Sequence, residues 1–399
     1  MSQTALTLAV RLMAIATGLL SSIATARYLG PEGRGLFFFW STVAALVVQF
    51  GNLGLHASNI YLHARQSIDL AVLGANSLVA AIYAGALITG MVLSVMAVTG
   101  YAEASNPLLV VSVLLLSVGG LYSQLGTNLF VAMDRLIEFN VLEIATRLLA
   151  FMTLVVVLLF VPDPLVLLAA VGVATALGAG VVGWRFVRKV GFSAPDLDVF
   201  RQGLPYGMRA YLIACLAMLV SRLNAFLLEP ALTAAEYGAW SIAAQMFDVF
   251  AVVPASIALV LLPKMMRSQS PAAMLRANAL ASGGVMLVMI ACFAAVGDHL
   301  IAWLYGEAFV PAYGYLLWGA PGLMALAVIT ILSQYLATVG LPRLLMVLWV
   351  VVALVHGLAA PAVIPTYGAA GAMASLSIAY LVGLVLMLWL VALLKGKHA

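Results

Sequence analysis

Charge is what this sequence has least of. Of 399 residues, only 8% are Asp, Glu, Lys or Arg, against 65% that are hydrophobic. Soluble domains carry about 25% charged residues. A chain of this size could not cover itself with so little polar surface, which excludes a water-soluble globule and intrinsic disorder. Cysteine is nearly missing. Cys215 and Cys292 each lie in an apolar run, form no disulfide framework or metal-ligand spacing, and read as packing residues. The sequence has no Walker A loop, no His-Glu-x-x-His and no Gly-x-Ser-x-Gly. ATP hydrolysis and the common hydrolase chemistries therefore have no motif to rest on, and an enzyme is not expected. The net charge of +4 comes without a basic stripe interleaved with aromatics, which excludes nucleic acid as a partner.

Long apolar runs are what the sequence has instead. A membrane-crossing helix needs about 20 apolar residues, and the runs give twelve such segments: 5–28, 36–62, 70–99, 107–133, 139–161, 164–187, 204–228, 237–262, 272–296, 312–339, 344–364 and 368–394. They are continuously apolar, whereas the strands of a membrane barrel alternate in polarity. The first continues to about Tyr28 with an arginine inside it, unlike a cleavable signal. Pro162-Asp163-Pro164 marks a tight turn between the fifth and sixth segments. Every connection is short, so no loop can fold into an extramembrane domain. The fold expected is an all-α polytopic membrane protein of about twelve helices, arranged as two six-helix bundles around a central cavity. Residues 1–187 form the first bundle, 188–202 a cytoplasmic connector and 203–399 the second bundle.

Lysine and arginine set the orientation. One set of loops holds Arg65, Arg135, Arg185, Arg188, Lys189, Arg201, Lys264, Arg267, Arg276, Arg343, Lys395 and Lys397, and the other holds only Arg27 and Arg34. The positive-inside rule places the first set, and both termini, in the cytoplasm. The halves also resemble one another. Leu29-Gly30-Pro31-Glu32-Gly33-Arg34-Gly35 and Leu232-Thr233-Ala234-Ala235-Glu236-Tyr237-Gly238 share Leu and Gly at the same offset, each between the first two helices of its half. An even number of crossings per half gives parallel repeats, an architecture in which transporters place substrate between the halves.

Polar residues inside the spans carry the functional signal, because they are costly in lipid. The second span has Thr42, Ala45, Gln49, Asn52, His56, Asn59 and His63 at spacings of three and four, one face of a continuous helix. Such a stripe lines a polar cavity or bonds to neighbouring helices. The fourth span carries Ser117, Gln124 and Asn128. Four arginines lie within spans: Arg11, Arg147, Arg209 and Arg222. Arg147 follows Glu143 by four residues, the favourable order for a helix ion pair. Arg209 and Arg222 point about 140° apart on one helix. Asp248 lies near the middle of the eighth span, on one face with Ser241 and Gln245. Asp248 and Glu143 are candidates to bind a coupling proton or sodium ion, or to hold an arginine. No cofactor or metal is expected. The excess of arginine suits an anionic headgroup, since guanidinium forks bind phosphate oxygens bidentately.

The run ARYLGPEGRGLFFFWSTVAALVVQFGNLGL (26–55) resembles the first two helices of Wzx-type oligosaccharide flippases, from the superfamily that also holds the multidrug and toxin extruders. AAEYGAWSIAAQMFDVFAVVPASIALVLLPKM (234–265), YGEAFVPAYGYLLWGAPGL (305–323), SQYLATVGLPR (333–343) and IPTYGAAGAMAS (364–375) follow in the family's order. The resemblance implies alternating access in the bacterial cytoplasmic membrane, carrying an undecaprenyl-diphosphate-linked glycan from the inner to the outer leaflet. Membrane lipids and other polysaccharide-assembly proteins would be further partners. The resemblance implies headgroup ligands at Arg11, Arg209 and Arg222. Arg147, Gln49, Asn52, His56, Asn59, Gln124 and Asn128 are expected to complete the diphosphate and glycan cavity. The alternative is an ion-coupled drug or metabolite exporter, which would call for more cavity carboxylates than Asp248 and Glu143.

Overall fold

A computed structural model describes residues 3–268, 271–338, 340 and 342–396, and no strand occurs among them. The helices are α1 (Gln3–Gly51), α2 (Leu55–Gln66), α3 (Leu70–Val98), α4 (Pro107–Ala132), α5 (Leu136–Phe160), α6 (Pro164–Val190), α7 (Leu197–Leu228), α8 (Ala234–Arg267), α9 (Pro271–Tyr305), α10 (Pro311–Thr338) and α11 (Arg343–Gly396). Among the described residues, ten helical stretches are long and apolar enough to cross a membrane. The apolar runs of the sequence give twelve. The difference lies in two stretches, Leu12–Gln66 and Arg343–Leu394, of 55 and 52 residues. At 1.5 Å per residue each would be about 80 Å long if straight, far beyond the roughly 30 Å of a bilayer core. Each bends instead at a non-helical glycine, Gly30 (φ 68°) or Gly368 (φ 54°), and the first breaks again between Gly51 and Leu55. Gly30 tolerates the left-handed region, and the fixed φ of Pro31 then suits a first helical position. One helix stops and another starts with no loop between them.

Helix starts elsewhere are capped by side chains. Asp163 accepts from the backbone N–H groups of Leu165 and Val166, and Pro164 takes the first helical position. Thr233 and Glu236 form a reciprocal capping box at the start of α8. The expected connector at 188–202 is mostly helix, because α6 runs to Val190 and α7 begins at Leu197. Asn76 holds the short link between them, donating to the Asp196 carbonyl at 2.9 Å and accepting from its N–H at 2.8 Å.

The chain forms two compact units. The first comprises Met1–Leu29 and Leu36–Tyr211, the second Gly30–Gly35 and Leu212–Ala399, so the division falls inside α7. In the first unit α4 packs against α2, α3, α5 and α6. Gly119 and Gly172 let α4 and α6 approach until an added Cβ would lie 3.0 Å from the opposite backbone, the small-residue packing typical of membrane helices. In the second unit α10 takes the central place against α8, α9 and α11. The Ser377 hydroxyl on α11 donates to the Trp318 carbonyl at 2.8 Å and accepts from the Gly322 N–H at 3.1 Å.

Candidate functional site

Within the first unit, four helices line an open cavity of about 510 Å³, inside the range of ligand pockets. Helix α4 contributes Gly120, Ser123, Gln124, Thr127 and Asn128, and α5 contributes Phe139, Glu143, Thr146, Arg147 and Ala150. Each set repeats at three- and four-residue steps, so one face of each helix forms a wall. Helix α1 adds Ala45, Val48 and Gln49, and α6 adds Thr175. The structure thus brings Gln49, Gln124, Asn128, Glu143 and Arg147 to one place. The Arg147 guanidinium reaches the Glu143 carboxylate at 3.0 Å. Asn128 donates to the Gln124 carbonyl at 2.8 Å. Gln124 Oε1 and Ser123 Oγ are buried and make no hydrogen bond among the described residues.

The second-span stripe does not stay on one face. The helix breaks at 52–54, where Leu53 (φ 50°) and Gly54 (φ 74°) take left-handed conformations. Above the break, Ala45 and Gln49 line the cavity. Around and below it the polar groups bond to the protein. The His56 ring donates to Asn52 Oδ1 at 2.7 Å, Asn59 donates to Ser77 Oγ at 2.9 Å, and the His63 ring donates to the Ile68 carbonyl at 3.0 Å. The break exposes backbone carbonyls of α1, and the Tyr211 hydroxyl takes up that of Phe50 at 2.5 Å.

Arg209 and Arg222 are not among the residues that line the cavity. Arg209 is exposed on α7 and makes no ion pair among the described residues. Arg222 belongs to the second unit and is bonded to Asp248 at 2.6 Å. Arg11 lies on α1, and its side chain is outside the described residues, as are Lys397 and the side chain of Lys395.

Two buried polar groups of the second unit were not singled out from sequence. Arg34, expected in a solvated outer loop, is 3% exposed and donates to Gln245 at 2.5 Å. Gly30, Pro31, Gly33 and Gly35 give its surroundings the composition of a loop. Its burial comes from the packing of residues 30–35 on the start of α8, where Gly35 lies against Ala234 and Gly238 lies against Pro31. These are reciprocal positions of the internal repeat. His356, fully buried, donates to Asn224 Oδ1 at 3.0 Å, while Asn224 Nδ2 donates to the Ala372 carbonyl at 2.7 Å.

An all-helical membrane fold with a polar cavity among its spans is the architecture of a transporter. Solved structures of that class match nearly the whole chain. An inward-facing multidrug-resistance MATE transporter of the MOP superfamily matches with a TM-score of 0.69 at 15% identity, covering 97% of this chain and 96% of that one. The MATE transporter VcmN of Vibrio cholerae, in a mutant form, matches at 0.66 and 14%, covering 99% and 98%. Lipid II flippase MurJ in an inward closed conformation matches at 0.65 and 13%, covering 96% and 86%. At these identities the likeness is one of fold. No curated protein matches the sequence. The family model described as polysaccharide biosynthesis protein matches residues 2–269, and the chain belongs to that family.

Proposed function

We propose that the chain is a flippase, not an enzyme, that moves an undecaprenyl-diphosphate-linked oligosaccharide from the inner to the outer leaflet of a bacterial cytoplasmic membrane. The observation that carries this reading is the polar cavity within the membrane-spanning helices of a polysaccharide-biosynthesis family member. Cells that assemble such glycans on a lipid need a path for the sugar through hydrocarbon, where each unmet polar group costs several kcal/mol. Of Arg147, Arg209 and Arg222, the first and last are held by carboxylates. Arg209 is the one left to meet an anionic headgroup, with Arg11 as its expected companion. Both termini are cytoplasmic in this reading, in keeping with the bias of basic residues, twelve against two, between the two sets of span ends. A proton or sodium ion would drive alternating access, with Glu143 and Asp248 as coupling candidates.

The test is complementation of a strain deleted for the gene. Full-length protein is expected to restore surface polysaccharide, and Arg209→Ala to lower it about tenfold or more at equal membrane abundance, the loss of one charge-assisted contact. Unchanged polysaccharide on deletion would overturn the reading, and drug sensitivity in its place would favour the exporter.

A further inference from the structure

The chemistry of the cavity wall says which part of such a substrate it can take. Three threonines line it, and each spends its single hydroxyl hydrogen on its own helix. Thr127 donates to the Ser123 carbonyl at 2.7 Å, Thr146 to that of Leu142 at 3.0 Å and Thr175 to that of Val171 at 2.8 Å. What they turn to the cavity is lone pairs, since a hydroxyl has one hydrogen and two acceptor sites. The Glu143 carboxylate can only accept, and Gln124 Oε1 lies just beneath the wall, closed to solvent and with no hydrogen bond among the described residues. The wall is therefore rich in acceptors, and its one carboxylate and one guanidinium cancel in charge across 3.0 Å.

We propose that this cavity is a sugar subsite, which takes an uncharged, hydroxyl-rich ring of the glycan and not the diphosphate. The proposal rests on the flippase reading for its place in transport, but the binding chemistry stands on the wall alone. A sugar ring carries many O–H donors, each able to meet one of these lone pairs and to accept in turn from the Gln124 or Asn128 amide. Phe139 supplies an apolar face for the C–H side of the ring. A diphosphate offers acceptors only and would bring like charge to Glu143. An organic cation would have to draw Glu143 away from Arg147 and leave a guanidinium unpaired in the membrane, a costly exchange.

The experiment uses the full chain in lipid nanodiscs, with saturation-transfer NMR of glucose, galactose and N-acetylglucosamine. Inorganic pyrophosphate and tetraethylammonium serve as competitors. At least one sugar is expected to bind saturably, and neither competitor to displace it. The double variant Thr146→Val/Thr175→Val keeps side-chain volume and removes two acceptors. It is expected to weaken sugar binding about tenfold while its thermal unfolding stays close to that of the parent. Gln124→Leu is expected to weaken it as well, as a second route should the double variant misfold. The proposal is overturned if no sugar binds, if binding is unaffected by these variants, or if pyrophosphate or the cation takes the site instead. Sugar binding that responds to the variants, in a strain whose polysaccharide is unchanged by deletion, would sink the flippase reading and leave the subsite standing. Normal export and binding by the variants in a strain that needs the gene would do the reverse.

Discussion

Partners decide what each intramembrane charge can do. The spacing of Glu143 and Arg147 anticipates their ion pair, because i and i+4 face one another on any helix. The pairing of Arg222 with Asp248 joins α7 to α8 and was open in the sequence, where Asp248 could equally have held an ion. The bond makes a testable claim at the level of two side chains. Asp248→Asn and Arg222→Gln, singly and together, are expected to show a coupling of about 1 kcal/mol in detergent unfolding, as befits a partly exposed pair. Additive effects would mean that the pair contributes nothing. Arg34 was legible only as a topology signal. Its burial depends on residues two hundred positions away, and local composition cannot report that.

At the level of elements, the helices were legible because apolar run length alone fixes them, and the bends at Gly30 and Gly368 fall where the runs break, but the break at Leu53 and Gly54 was not legible. The stripe from Thr42 to His63 has perfect helical spacing, yet Leu53 and Gly54 break the helix in its middle and divide the stripe between a cavity wall and structural hydrogen bonds. Helix contacts hang on particular glycines. An added Cβ at Gly238 would sit 1.9 Å from the Pro31 carbonyl oxygen, whereas at Gly90 it would meet nothing within 4 Å. Gly238→Ala is therefore expected to cost about 3 kcal/mol, the upper end of overpacking. Gly90→Ala, which relieves helix entropy, is expected to stay within about 1 kcal/mol of the parent. Thermal unfolding of the two variants side by side checks this, and equal midpoints would contradict the close approach of 30–35 to α8.

For the whole molecule, scarcity of charge placed the chain in a membrane, and the ordered loop motifs pointed to its family, which the match over residues 2–269 establishes. Composition could not show which polar residues share a cavity, since that depends on α1, α4, α5 and α6 meeting around Gln49, Gln124 and Glu143. The most direct measurement is made on proteoliposomes holding the purified full chain and an undecaprenyl-diphosphate-linked oligosaccharide. An impermeant sugar-oxidising reagent reads the glycan of the outer leaflet. In protein-free vesicles the inner-leaflet fraction should stay protected. With the protein, that fraction is expected to become reactive within minutes, and Arg209→Ala is expected to slow the change about tenfold. Protection that persists at the protein-free level would contradict the claim that this cavity-bearing chain carries glycan lipids across the membrane.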